Sequence, residues 1–341
     1  MRYVGGRSEP RPCGGEGRLM GKVGRVDVVG VGLNATDTIV RLPRFPEFDS
    51  KMELLSHDVR AGGQVASGMV ACQRWGLKAR YIGKIGEDWA ADFQLSELET
   101  DGVESHLFRV AGCQSQRAYI LVDEGSGERT ILWTRDARLE IQPEELRKEW
   151  ITTASALFVD GHDTAAATQA AMWAQEAGIP VVLDIDRAYP RVQGLLEVSD
   201  YVLSSREFPA RLTGHHDLLK ALREIRAEFK CKLMGATLGK AGVIAWDGER
   251  FFYSPGFAVK AVDTTGAGDI FHGALVYGLT RGLDIERLLE FSCAAAGLAC
   301  TAVGSRGHIA PLDEIQHLIG TGERHPALYD DRQLARVAGV R

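Results

Sequence analysis

The chain contains no apolar run near the roughly 18 residues that a membrane-spanning helix requires, which removes a membrane-spanning reading. It has no Cys-x-x-Cys pair and no zinc-type pairing of cysteine with histidine. The cysteines at 13, 72, 113, 231, 293 and 300 are scattered, so they read as reduced thiols in a cytoplasmic protein. It also lacks an excess of basic residues. A net charge of −6 gives no electrostatic basis for binding nucleic acid or an anionic membrane. No Gly-x-Gly-x-x-Gly follows the first predicted strand, where Val31-Gly32-Leu33-Asn34 stands, which argues against a dinucleotide-dependent oxidoreductase. The opening residues lack the apolar core of a secretory signal. They are rich in Gly, Pro and Arg, so 1–22 is expected to be a disordered extension, with Met20 an alternative start.

What is present is a regular alternation of short apolar runs and helical periods, the pattern of a mainly parallel sheet with helices on both faces. Strands are expected at Val26 to Val31, Arg80 to Ile82, Leu157 to Val159, Val181 to Ile185, Tyr201 to Leu203 and Leu233 to Thr237. Helices are expected at Val65 to Trp75, Ala90 to Thr100, Ala165 to Ala177, Leu218 to Phe229, Ala267 to Thr280 and Ile285 to Val303, with Gly76 and Gly178 ending two of them. Two alternating segments, about 38–59 and 114–133, break this rhythm; the second is a hairpin turning at Glu124-Gly125-Ser126-Gly127. They are expected to form a small β-sheet lid. The predicted architecture is a three-layer α/β/α domain over 23–320 with that lid, followed by a polar tail, 321–341, holding a short helix near Asp331.

The chemistry concentrates in Asp263-Thr264-Thr265-Gly266-Ala267-Gly268-Asp269, which opens a helical period carrying Phe271, Ala274 and Leu275 on one face. The Gly266, Ala267 and Gly268 amides then lie at a helix N-terminus, where unpaired donors and the helix dipole attract an anion. Asp269, in the first turn, is placed to take a proton beside that anion hole. Together these are the requirements of phosphoryl transfer to an alcohol.

This stretch, continuing Ile270-Phe271-His272-Gly273-Ala274, resembles the C-terminal signature of the ribokinase-like (PfkB) carbohydrate kinases, and in particular a subgroup that includes sulfofructose kinase. Gly62-Gly63-Gln64-Val65-Ala66-Ser67, followed by Tyr81-Ile82-Gly83-Lys84-Ile85-Gly86-Glu87-Asp88, resembles the N-terminal signature of the same family. The resemblance runs from about Val26 to Ile319.

It implies a ribokinase-like fold, ATP with Mg²⁺, and a homodimer through the lid. It also implies sugar contacts from Asn34, Asp37, Gly62, Gly63, Gln64 and Ser67, the last standing where many members have Asn. Thr237-Leu238-Gly239-Lys240-Ala241-Gly242 resembles the family's nucleotide loop, with Thr237, Gly239, Lys240 and Gly242 as contacts. The helix from Phe291 lines the adenine pocket, and the turn at 304–307 supplies a K⁺ site near Asp263 and Thr265. The family's Asn-x-x-Glu is altered here: Ser205 stands at the Asn and Phe208 at the Glu, so Glu207, one residue off, is the candidate for holding Mg²⁺ through water.

His162 occupies the place of a sugar-binding Glu. With Lys51 and Gln114 it is expected to face the far end of the sugar, where two readings stand side by side: Lys51 and His162 hold an anionic substituent, or Lys51 is a solvated lid residue and His162 hydrogen-bonds its own loop. Two other readings share the fold: a nucleoside kinase, and a catalytically idle sugar-binding protein. Retention of Asp269 beside Gly-Ala-Gly argues against the latter.

Overall fold

Residues 23–125 and 129–338 are described by a computed structural model. The expected N-terminal extension, and Ser126 and Gly127 of the expected turn, lie outside the described residues. Thirteen strands follow in chain order: β1 (Val28–Val31), β2 (Ala35–Leu42), β3 (Ser56–Gly62), β4 (Ala79–Ile85), β5 (Glu104–Arg109), β6 (Arg117–Asp123), β7 (Arg129–Thr134), β8 (Ala156–Asp160), β9 (Val181–Ile185), β10 (Tyr201–Ser205), β11 (Leu233–Thr237), β12 (Val243–Trp246) and β13 (Phe251–Ser254).

Nine of these make one sheet in the order β13-β12-β11-β10-β9-β8-β1-β4-β5. It is parallel from β5 to β11 and closes with two antiparallel edge strands, β12 and β13. Strands β1, β8 and β9 are buried at every residue, which is why they read as unbroken apolar runs rather than as alternation. Their side chains divide between two cores. Val29, Val31 and Leu183 join the helices Thr164–Glu176 and Leu218–Phe229 on one face. Val28, Phe158 and Val182 join Gln64–Arg74, Ala267–Thr280 and Ile285–Ala299 on the other.

The remaining four strands form a separate sheet, β3-β2-β6-β7, as expected of the lid. Its strands extend beyond the expected segments, to Ala35 and Gly62 at one side and Thr134 at the other. Asp37 therefore sits within a lid strand, paired with Arg60. The helix expected to reach Val303 stops at Ala299, because Asp263 and Val262 already hydrogen-bond the Cys300 carbonyl and turn the chain there. Gly76 and Gly178 do end their helices in left-handed conformation.

Sequence reading missed β5 and β13, which are short edge strands with little alternation. It also treated 321–341 as a tail apart from the domain. The segment packs instead: the Glu323 carbonyl accepts the Ala258 N–H, the His325 N–H donates to the Gly256 carbonyl, and Leu334 on the helix Asp331–Ala338 joins the core.

One polar side chain locks the β4–β5 edge. Arg80 is fully buried, bonds Glu104 at 2.7 Å, and donates to the Trp150 carbonyl, the Thr153 hydroxyl and the Gly24 carbonyl, each at 2.8 Å. Arg80→Met would fill much of the volume but take this donor from the buried Trp150 carbonyl and the cationic partner from Glu104. We expect a loss of roughly 3 kcal/mol, read as a lower urea midpoint with an unchanged slope.

Candidate active site

Two cavities meet at one turn. Gly266 opens the helix Ala267–Thr280 with φ +76°, and a Cβ there would lie 2.4 Å from the Ser305 Cα, so only glycine suits both backbone and space. Asp263 holds this loop. Its Oδ1 accepts the Thr265 N–H at 2.9 Å and the Thr265 hydroxyl at 2.7 Å, and its Oδ2 accepts the Gly304 N–H at 2.8 Å. Asp263 thus ties Thr265 and the turn at Gly304 into one loop.

Of the three expected anion-hole amides, Ala267 is committed to the Thr264 carbonyl at 3.3 Å, whereas Gly266 and Gly268 N–H donate to no acceptor among the described residues. A Cβ on Gly268 would meet nothing within 4 Å. The space above that amide is open.

The first cavity, of about 350 Å³, lies between lid and core. Asp37, Gly63, Gln64, Thr265, Gly266 and Asp269 line it near the turn, and Trp133, His162, Asp186 and Arg187 line it farther along. Three carboxyl groups crowd its near end. Burial, then Asp184 and Asp37, push Asp269 up to about 7. Burial raises Asp37 to about 6, against the Ser305 hydroxyl that donates to it at 3.0 Å and the Arg306 charge. Burial also lifts Asp184 well above the usual range, and the Gln64 amide donates to it at 3.1 Å. At the far end burial opposes the charge of Asp160, but the His162 ring and the Leu33 and His162 amides outweigh it and hold the carboxyl low. His162 is held up in turn by Asp160, at 3.6 Å, against its own burial.

Several expected sugar contacts take other positions. Gly62 does not line the cleft and is a glycine for packing, since a Cβ there would lie 2.1 Å from Asp37; Gly63 does line it, and at φ +94° a Cβ would lie 2.3 Å from the Asn34 Cα. Ser67 is fully buried and accepts from Arg306, which also donates to the Gly62 carbonyl, so this serine supports the floor from beneath. Asn34 is buried with its Nδ2 unpartnered and does not line the cleft. Lys51 and Gln114 are exposed outside it; Gln116 lines it instead, in phase with Ala118 and Ile120 of β6, whereas Gln114 lies in the loop before that strand.

Thr237, Gly239, Lys240 and Gly242 line the second cavity together with Ala267, Gly268 and Phe271. The helix Ile285–Ala299 contributes Cys293, Ala296 and Gly297, as expected, and the tail contributes His325. Ser205 lines neither cavity and donates to the Asp186 carbonyl. Glu207 is exposed and lines neither, while Phe208 is fully buried. Among the described residues no cluster of three or more His, Cys, Asp or Glu could hold a metal. Sequence reading did not single out Asp184, Asp186, Arg187 or Ser305. The first three were open to the rule that ligands gather at strand carboxyl ends; Ser305 was not, since only the fold brings it to Asp37.

Comparison with known proteins agrees with this geometry. The model of the pfkB family carbohydrate kinases matches residues 27–311. Ribokinase of Bacillus subtilis is 27% identical over 85% of this chain and 98% of its own length. ATP-dependent ribose-1-phosphate kinase of Halopiger xanaduensis is 30% identical over 82% and 94%. Among solved structures, a candidate ribokinase from Agrobacterium tumefaciens superposes with a TM-score of 0.81 at 27% identity, covering 87% of this chain and 98% of that one. The chain therefore belongs to the pfkB family of carbohydrate kinases, enzymes that transfer a phosphoryl group from ATP to a sugar.

Proposed function

We propose that this kinase phosphorylates a hydroxymethyl group of a small sugar or sugar derivative, with Asp269 as general base and the Gly266 and Gly268 amides as the anion hole. One observation carries the reading: Gly266 and Asp269 line the cleft under the lid, while Ala267 and Gly268, next along the same turn, line the second cavity. Sugar occupies the first cavity and ATP the second, so the γ-phosphate reaches the turn where they meet. Asp269 removes the hydroxyl proton as the sugar oxygen forms its bond to the γ-phosphorus. The bond from that phosphorus to the bridging oxygen breaks, and ADP leaves with the electron pair.

The lid excludes water that would otherwise accept the phosphoryl group. Mg²⁺ would be held mainly by the nucleotide phosphates and water, as that ion commonly takes few protein ligands, and would supply charge neutralisation there. Relatives named for ribose, fructose and ribose 1-phosphate leave the acceptor open within this class. A cytoplasmic location accords with an ATP-dependent reaction, and no helix among the described residues is long and apolar enough to cross a membrane.

Asp269→Asn preserves shape but cannot accept a proton. We expect kcat to fall by roughly two to four orders of magnitude, with sugar affinity much less affected. In the parent enzyme the base works only when ionised, so kcat should rise with pH through an apparent value near 7, as burial and the neighbouring carboxylates dictate. A pH profile flat from 5 to 8, or an active Asn variant, would exclude Asp269 as the base.

Gly268→Val adds a side chain into open space, so the protein should fold with an unchanged melting temperature. Turnover should be lost, because that space is where phosphate must approach the amide. Normal kinetics in this variant would show that no phosphate passes there.

The lid also bears on assembly. Val59, Tyr119 and Leu132 lie in one cross-strand row on its outer face, with Tyr119 44% and Leu132 53% exposed, while Ile120 points inward and is buried. A small sheet with an apolar outer face gains by covering it, and we expect a homodimer formed through the lids. Light scattering at micromolar concentration should give twice the monomer mass, and Tyr119→Asp should reduce it to one; a monomeric parent protein would dismiss the idea.

A further inference from the structure

The cleft has two ends of different character. Asp37 and Asp269 stand at the end where phosphoryl transfer takes place. At the other end Trp133 and His162 also border a neighbouring cavity, so the cleft opens there and admits a substituent. Arg187, on the loop after β9, lines this open end. Its guanidinium carbon lies 5.2 Å from the centre of the Trp133 ring, on the lid, and 4.8 Å from that of Tyr189, on the core. Contact with the two rings fixes the guanidinium plane and removes water from it.

The other cations at this end already face carboxylates. His162 faces Asp160 and the Tyr189 hydroxyl. Asp186, next to Arg187 in the chain, accepts that same hydroxyl at 2.8 Å. Arg135, in the neighbouring cavity, pairs with Asp163 at 2.6 Å. Arg187 alone among these cations has no carboxylate within 4.0 Å among the described residues: against its burial, Tyr189 and the more distant Asp186 charge favour its charged form, but its Nε is buried without a hydrogen-bond partner. Lys51, the cation expected here from sequence, lies outside the cleft.

We propose that Arg187 sets substrate choice by binding an anionic group of the sugar (carboxylate, phosphate or sulfonate) at the end remote from the hydroxyl that is phosphorylated. The proposal rests on the sugar-kinase reading above. A neutral hydroxyl would meet one N–H of the guanidinium fork. Two oxygens of an anion meet two of them, with charge assisting both bonds. The same charge pattern orients the substrate: Asp37 and Asp269 repel an anion from the near end, so the charged group seats at Arg187 and the free hydroxymethyl reaches Asp269.

The test is ADP release by the purified enzyme at fixed ionic strength, which matters because charge pairing is screened by salt. Fructose and ribose are compared with fructose 6-phosphate, ribose 1-phosphate, 2-keto-3-deoxygluconate and sulfofructose. We expect at least one anionic sugar to exceed both neutral sugars in kcat/KM. Arg187→Gln should then lower the anionic-to-neutral ratio by about 100-fold, the scale of a lost charge-assisted hydrogen bond, chiefly through KM for the anionic sugar. Arg187→Lys, which keeps the charge but not the fork, should restore part of the ratio.

Melting temperature with the preferred anionic sugar and no nucleotide supplies a readout independent of turnover: it should rise for the parent enzyme and not for Arg187→Gln. A preference for neutral sugars, or a Gln variant that lowers all sugars equally, would overturn the proposal while leaving the sugar kinase intact. Absence of turnover with every sugar would overturn both.

Discussion

The Asp263 carboxylate is the constraint on which both cavities depend. By accepting two donors from Thr265 and one from Gly304, it fixes the loop before the helix Ala267–Thr280 against the turn that carries Ser305 and Arg306. Gly266 can then adopt its left-handed conformation with its α-carbon pressed on Ser305, and the helix starts with two amides unpaired. Ser305 reaches Asp37 in the lid sheet, and Arg306 reaches Ser67 and Gly62 beneath the cleft floor. The far end of the same helix turn is secured by His272, whose ring nitrogens lie 2.8 Å from the Gly268 carbonyl and 2.9 Å from that of Leu203 in β10. One short loop thereby sets the positions of Asp269, of the Gly266 and Gly268 amides and of the cleft floor, the proposed base, anion hole and sugar site.

Crowding of carboxyl groups near that loop works against folding and for catalysis. Asp37, Asp184 and Asp269 come from a lid strand, a core strand and a helix, and burial raises all three. In the folded protein their charged forms are disfavoured relative to the unfolded chain, so stability from this cluster is lost as pH rises toward neutrality. For the proposed base, Asp269, the gain is an affinity for protons close to working pH, where proton transfer from an alcohol is most effective. Arg306, Gln64 and Ser305 limit the cost, each by facing one of the carboxyls.

The lid connects this arrangement to substrate choice. Its inward residues, among them Asp37, Gln116, Ile120 and Trp133, close the cleft from above. Arg129 on β7 donates to the Thr264 hydroxyl at the edge of the second cavity, and Arg187 of the core lies against Trp133 of the lid. Lid and core are thus held together at both cavities, so the distance across the cleft is set by side chains that border the sites themselves.

Much of this was legible in the sequence because it depends on local rules. Unbroken apolar runs bounded by helical periods gave the parallel sheet, since strands covered on both faces have no polar side to alternate with. Gly-Ala-Gly-Asp before an amphipathic period fixed the helix start, the free amides and the acid in the first turn, because helix N-termini are determined within a few residues. The rest required long-range placement. Nothing near Gly62 indicates that Asp37 will fill the space its missing Cβ leaves, and nothing near Ser67 indicates that Arg306, distant in the chain, will claim its hydroxyl. Lys51 and His162 looked like a pair for an anion, yet the fold leaves Lys51 outside, gives His162 to Asp160 and brings Arg187 against the lid tryptophan. Sequence by itself determined which chemistry the turn at 263–269 supports. Only the tertiary structure decided which side chains face the substrate, because a residue's partners come from strands and loops whose order in space differs from their order in the chain.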